Sequence, residues 1–145
     1  MPVYLLDKEL HFPAPEDANE EGIVAVGGDL SPERLLLAYQ NGIFPWPARG
    51  YPLLWFSPDP RFALEPSKAH VSRSLRKVLR RDQFQVTADT AFAEVITACA
   101  AVPRPHQQGT WITRELRDGY LGLHEHGYAH SVEAWTDGRL VGGLY

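Results

Sequence analysis

The chain has 145 residues, a formal net charge of −4, 44% hydrophobic residues and 22% charged residues, the balance of a water-soluble globular chain holding one domain, or a small domain plus part of another. No apolar run reaches the ~18 residues of a membrane-spanning helix, and the opening "PVYLLDKELHFPAP" lacks the order of a secretion signal. The single Cys99 excludes an internal disulfide and no Cys/His spacing fits zinc, so no metal site and a cytoplasmic location are expected.

Residues 1–30 are short apolar pieces broken by Pro and acidic residues. In "GIVAVGGDL" Val24 and Val26 are expected to alternate in a strand before Gly27-Gly28-Asp29 turns the chain. The glycines lack the spacing and the Lys of a phosphate loop. "SPERLLLAYQNG" reads as a helix: Ser31 caps it, Pro32 takes the first helical position and Gly42 follows the last turn. Leu35, Leu36 and Tyr39 form its expected buried stripe.

"NGIFPWPARGYPLLWFSPDPR" comes next, with two Trp, two Phe, one Tyr and five Pro in 21 residues. Pro fixes φ and donates no backbone hydrogen bond, so this is a stiff, irregular loop. Its rings either plug a core from the side or stand as a platform for something flat. Trp46, between Pro45 and Pro47, suits either role; Trp55 is assigned to the core. Six of the 12 Pro lie between Pro45 and Pro66, which places a boundary here, with a small N-terminal unit over 1–62 and a second unit over 63–145.

Charge is unevenly spread. Residues 1–66 carry 4 Lys and Arg against 10 Asp and Glu, residues 67–81 carry 6 against none, and residues 82–145 carry 4 against 8. Within "SKAHVSRSLRKVLRRD" a helical wheel sets Val71, Leu75, Val78 and Leu79 on one arc, expected to pack. Arg73, Arg76, Lys77, Arg80 and Arg81 occupy the opposite arc. No acid intervenes at i+4 to offset their repulsion, so the face is either solvated or opposed by an anionic partner.

"FQVTA" reads as a strand with Phe84 and Val86 inward. Asp89 is expected to cap "TAFAEVITACAA", whose Phe92, Val95, Ile96 and Cys99 keep helical spacing, with Cys99 a small buried hydrophobe. "VPRPHQQG" is a loop. Thr113 caps "RELRDGYLGLHEH", which Gly127 ends. "AHSVEAW" alternates, "TDG" turns and "RLVGGLY" runs back as a hairpin. The class is α+β. An apolar final strand is an edge liability, so the sequence reads as truncated at Tyr145. His124, His126 and His130 show no ligand geometry and are assigned to structure. Glu133 is an open candidate for contacting a basic ligand.

Taken together, "GGDLSPERLLLAYQNGIFPW", "LLWFSPDPR", "HVSRSLRK", "GTWITREL", "LHEHGYAHSVEAW" and "LVGGLY" resemble, in order, the leucyl/phenylalanyl-tRNA–protein transferase family. Phe56 stands where many members have a second Trp, and the 102–108 loop carries extra Pro. The resemblance implies a small N-terminal α+β domain followed by the first half of a GNAT-like mixed α/β domain. It implies transfer of Leu, Phe or Met from aminoacyl-tRNA to proteins with N-terminal Arg or Lys, marking them for N-end-rule degradation, without a cofactor. By the same resemblance Trp111, Tyr120 and Leu144 line the pocket for the donor side chain, although the residues alone suit a core better. Trp46 contacts the tRNA 3′ adenosine, and Arg73, Lys77, Arg80 and Arg81 lie near the acceptor stem. The family's catalytic acid–amide pair belongs to "GESMFS"- and "DCQ"-like segments that this sequence does not contain, so residues 1–145 alone are expected not to transfer. The competing readings are an RNA-binding module without chemistry and a GNAT-like acyltransferase using acyl-CoA.

Overall fold

The computed structural model describes residues 3–48, 50–103 and 109–145. The greater part of the expected 102–109 loop therefore lies outside the described residues. In chain order the elements are β1 (Tyr4–Leu6), β2 (Ile23–Gly27), α1 (Pro32–Gln40), β3 (Phe44–Pro45), β4 (Leu54–Phe56), α2 (Arg73–Arg80), β5 (Gln85–Ala88), α3 (Phe92–Ala101), α4 (Arg114–Glu125), β6 (Val132–Thr136) and β7 (Arg139–Leu144). They form two sheets, ordered β1-β2-β4-β3 and β5-β6-β7. β1 runs parallel to β2, and every other pairing is antiparallel. The chain is α+β.

The helices start where their side chains satisfy the first free amides. Ser31 Oγ accepts from the Arg34 amide, Ser72 Oγ from Leu75 and Thr113 Oγ1 from Leu116, the N-cap geometry. Gly127, at φ 77, follows α4. Asp137 and Gly138, at φ 50 and 71, make the two-residue turn between β6 and β7, which needs left-handed backbone at both positions.

α4 binds the two halves of the chain together. Its Leu116 and Leu123 are buried with Val24 and Trp55 of the first sheet, Leu35 of α1 and Ile43 between α1 and β3; each such burial contributes roughly 1.5–3 kcal/mol. The helices meet closely because α4 carries glycine at the crossing. A Cβ on Gly119 would stand 2.3 Å from the Leu30 carbonyl oxygen, and one on Gly122 would stand 2.6 Å from Pro32 Cγ. A second cluster joins Phe92 and Ile96 of α3 to Ile112.

Several expectations are corrected. In α1 the buried residues are Arg34, Leu35 and Ala38, whereas Tyr39 is 40% exposed. The N-terminal segment crosses this face, and its carbonyls need donors: Arg34 Nη2 reaches Asp7 O at 2.9 Å and Nη1 reaches Glu9 O at 3.1 Å. Val24 and Ala25 are both buried, because the β2–β4 register shifts between Ile23 and Ala25 and breaks strict alternation. The apolar arc of α2 does not pack: Leu75 is 47% and Leu79 62% exposed. Periodicity reports an amphipathic helix, not the presence of an element to cover it, and among the described residues none packs extensively over α2. Phe84 and Val86 are likewise exposed, and Thr87 is the partly covered residue of β5. Asp89 does not cap α3, whose N-cap position is Ala91.

Candidate functional site

The rings of the Pro-rich loop meet the segment preceding α4. Trp46 stacks on Trp111 with centroids 5.3 Å apart and planes 12° from parallel. Trp46 is 46% exposed, so it joins the two halves on one side and presents surface on the other. Trp55 is fully buried and donates its Nε1–H to Gly27 O at 2.9 Å, the core residue expected.

Trp111, Tyr120 and Leu144 line one cavity of about 590 Å³, together with Ile112, Cys99 and His130. α4 supplies Tyr120, β7 supplies Leu144 and the α3–α4 connection supplies Trp111. The walls are mainly apolar, and the volume falls within the ~300–1,000 Å³ of small-ligand sites. Trp111 also borders a larger cleft of about 1240 Å³ whose wall includes Trp46, Tyr51, Asp29 and Glu115. The stacked pair therefore stands between an apolar cavity and a broader groove edged by carboxylates.

The cavity holds features that sequence reasoning assigned elsewhere. Tyr39, expected in the helix stripe, hydrogen-bonds its hydroxyl to that of Tyr120. Burial, followed by the neighbouring Tyr39, holds the Tyr120 phenol well above the ordinary tyrosine range, and burial likewise raises Tyr39, so both stay protonated. Cys99, expected in a core, is only half-buried and lines the cavity. Tyr145 meets Tyr120 edge-on at 5.5 Å and Phe92 at 6.3 Å. The 81-residue separation of Tyr39 and Tyr120 left no local signal to pair them.

The histidines belong to defined contacts. The His124 ring stacks on Phe92 at 4.2 Å and 6°, and its Nδ1 lies 2.8 Å from Ala129 O. His130 Nδ1 lies 2.8 Å from Asp89 Oδ2, and the Ser131 amide donates to Asp89 Oδ1 at 2.8 Å. Those bonds, His130 first, draw the Asp89 carboxyl below its ordinary value.

Glu133 is not a surface contact for a basic ligand, because it is fully buried. Its carboxylate accepts from Thr87 Oγ1 at 2.5 Å, Thr90 Oγ1 at 2.9 Å and the Ser131 hydroxyl. Burial alone raises its pKa, but the three hydroxyls outweigh that and lower it from 4.5 to about 2. Donors to the charged form win over desolvation when every oxygen is satisfied. With no side-chain cap at Ala91, this carboxylate ties β6 to the turn that enters α3.

Arg73, Lys77, Arg80 and Arg81 are all exposed or partly exposed on α2 and at its C-terminal end. Among the described residues, none of these cations takes part in an ion pair. They lie on an element apart from the cavity lining.

Residues 63–145 match the family profile described as leucyl/phenylalanyl-tRNA protein transferase, and residues 28–59 match the profile of its N-terminal domain. The chain belongs to the leucyl/phenylalanyl-tRNA protein transferase family. It is 61% identical to the leucyl/phenylalanyl-tRNA–protein transferase of Myxococcus xanthus, 58% to that of Desulfatibacillum aliphaticivorans and 56% to that of Syntrophus aciditrophicus. Each alignment covers all of this chain and 63%, 62% and 61% of the respective relative. The chain thus spans a little under two thirds of the length of these relatives.

Proposed function

We propose that the protein serves the transfer of Leu, Phe and Met from aminoacyl-tRNA to the N-terminal Arg or Lys of acceptor proteins. The new peptide bond marks those proteins for N-end-rule degradation in the cytoplasm. The observation that carries this reading is the apolar cavity under Trp111, opening beside the Trp46–Trp111 stack, in a chain whose named relatives are transferases of this kind. Trp111, Tyr120 and Leu144 hold the donor side chain, and Trp46 stacks on the terminal adenosine, a contact of ~1–3 kcal/mol for an unpaired base. Arg73, Lys77, Arg80 and Arg81 hold the tRNA backbone without reading its sequence. We treat residues 1–62 as a small N-terminal domain and 63–145, with its antiparallel sheet against α3, as the first part of a GNAT-like domain.

The aminoacyl ester is already activated, so no cofactor is assigned. The attacking α-amine titrates near ~7.7–8.0 and needs mainly to be aligned with the ester. No residue of this chain is assigned to proton transfer. The test compares affinity for Phe-tRNA and Ala-tRNA. Preference for Phe-tRNA by about tenfold or more is expected, since an apolar pocket of this kind can separate side chains by ~1–3 kcal/mol or beyond. Equal affinity would reduce the protein to an RNA-binding module and overturn the pocket.

A further inference from the structure

The apolar cavity has one wall position that differs from the rest. His130 lines it, and its Nδ1 is committed to Asp89 at 2.8 Å. An ionised carboxylate only accepts, so Nδ1 carries the proton and Nε2 of the neutral ring is left as an acceptor. Asp89 is fixed for this task from three directions. Its Oδ1 accepts from the Ser131 amide at 2.8 Å, its own amide donates to Ser131 O at 3.0 Å, and its backbone sits at φ 57. A non-glycine residue held in that region costs stability that the surroundings must offset, and such residues gather at functional sites.

An amino acid ester whose side chain fills an apolar cavity carries its amine two bonds from Cβ, so that amine must lie at the cavity wall. The other polar side chains of the lining are three phenols, the Trp111 indole, which only donates, and the Cys99 thiol, a weak acceptor, and the Tyr120 hydroxyl is already bonded to Tyr39. We propose that the Asp89–His130 pair receives the free α-amino group of the aminoacyl donor, its ammonium donating a hydrogen bond to His130 Nε2. This rests on the donor-pocket reading above and adds to it a requirement: the donor must have an unblocked amine. An N-acylated donor loses the charge and places an acyl group against the imidazole.

The groups facing His130 are Asp89 from the β5–α3 turn, His124 of α4, whose Nδ1 stands 4.0 Å from Asp89 Oδ1, and the phenols of Tyr120, Tyr128 and Tyr145 around the cavity. Glu133, on the strand β6 that follows His130, is enclosed by its own hydroxyl donors.

The experiment titrates the protein with 3′-deoxy-3′-(phenylalanylamino)adenosine and with its N-acetyl derivative, followed by tryptophan fluorescence and calorimetry. The free-amine compound should bind about tenfold tighter, equivalent to ~1.4 kcal/mol. That preference should disappear in His130→Ala, whose exposed position leaves folding undisturbed, and should be retained more fully in His130→Gln. Equal binding of both compounds, or a preference that survives in His130→Ala, overturns the amine assignment and leaves the apolar pocket standing. If neither compound binds, the pocket itself is wrong and this inference falls with it.

Discussion

Replacing Gly119 by Ala should destabilise the protein although it improves the helix. In isolation the change favours α4 by about 1 kcal/mol. Here the new methyl would stand 2.3 Å from the Leu30 carbonyl oxygen and 2.8 Å from Leu35 Cδ1, against 3.4 Å or more for ordinary contact. The Leu30 oxygen is backbone, one residue before the α1 cap, and cannot rotate away. Leu35 is fully buried and has no free space to enter. α4 must therefore retreat from α1 by roughly 1 Å, loosening Leu116 and Leu123 against the first sheet; overpacking of this kind costs ~1–3 kcal/mol and occasionally more. The net expectation is a loss of about 1–2 kcal/mol, which lowers Tm by roughly 2–8 °C for a chain of this size. Because Tyr120 is the next residue, near-ultraviolet circular dichroism and tryptophan emission should change as well. The assay is urea and thermal unfolding of wild type, Gly119→Ala and Gly122→Ala. The last meets only the Pro32 ring, at 2.6 Å, which can repucker, so its loss should be smaller. A Gly119→Ala protein as stable as wild type, or more so, would show that helix propensity dominates and that the close approach of α1 and α4 is not a constraint.

Other outcomes follow from the same geometry. Glu133 has a folded pKa lowered from 4.5 to about 2, so it contributes stability that is fully present above pH 4.5 and is lost as pH falls toward 2; Glu133→Gln should flatten that part of the urea-midpoint profile, and an unchanged slope would mean the carboxylate is not held ionised. Arg73→Glu with Lys77→Glu should weaken tRNA binding across sequences and flatten the log K versus log salt slope by about 1 for each phosphate no longer neutralised; unchanged affinity and slope would leave α2 a solvated face. Trp111→Ala should reduce affinity for Phe-tRNA far more than for uncharged tRNA; equal losses would make Trp111 a folding residue.

Helix ends were legible because they are local. Ser31 and Thr113 bond to amides three residues on, and the Asp137-Gly138 turn is set by backbone freedom at two adjacent positions. The motifs quoted from Gly27 to Tyr145 likewise sufficed to place the chain in its family. The amphipathic character of α2 was also readable, but whether anything covers Leu75 and Leu79 was not, because periodicity describes one helix and burial needs two surfaces. The tertiary structure alone decided which buried groups are polar. Arg34 and Glu133 are fully buried because segments 25 to 46 residues away in sequence deliver carbonyls to one and hydroxyls to the other. It also set Trp46 against Trp111, Tyr39 against Tyr120 and His130 against Asp89. Each of those pairs joins distant parts of the chain, and the α1–α4 crossing that brings the first two together rests on Gly119 and Gly122, whose value is the missing side chain. In sequence such a glycine reads only as a weak helix residue; its reason appears when another backbone occupies the space its Cβ would fill.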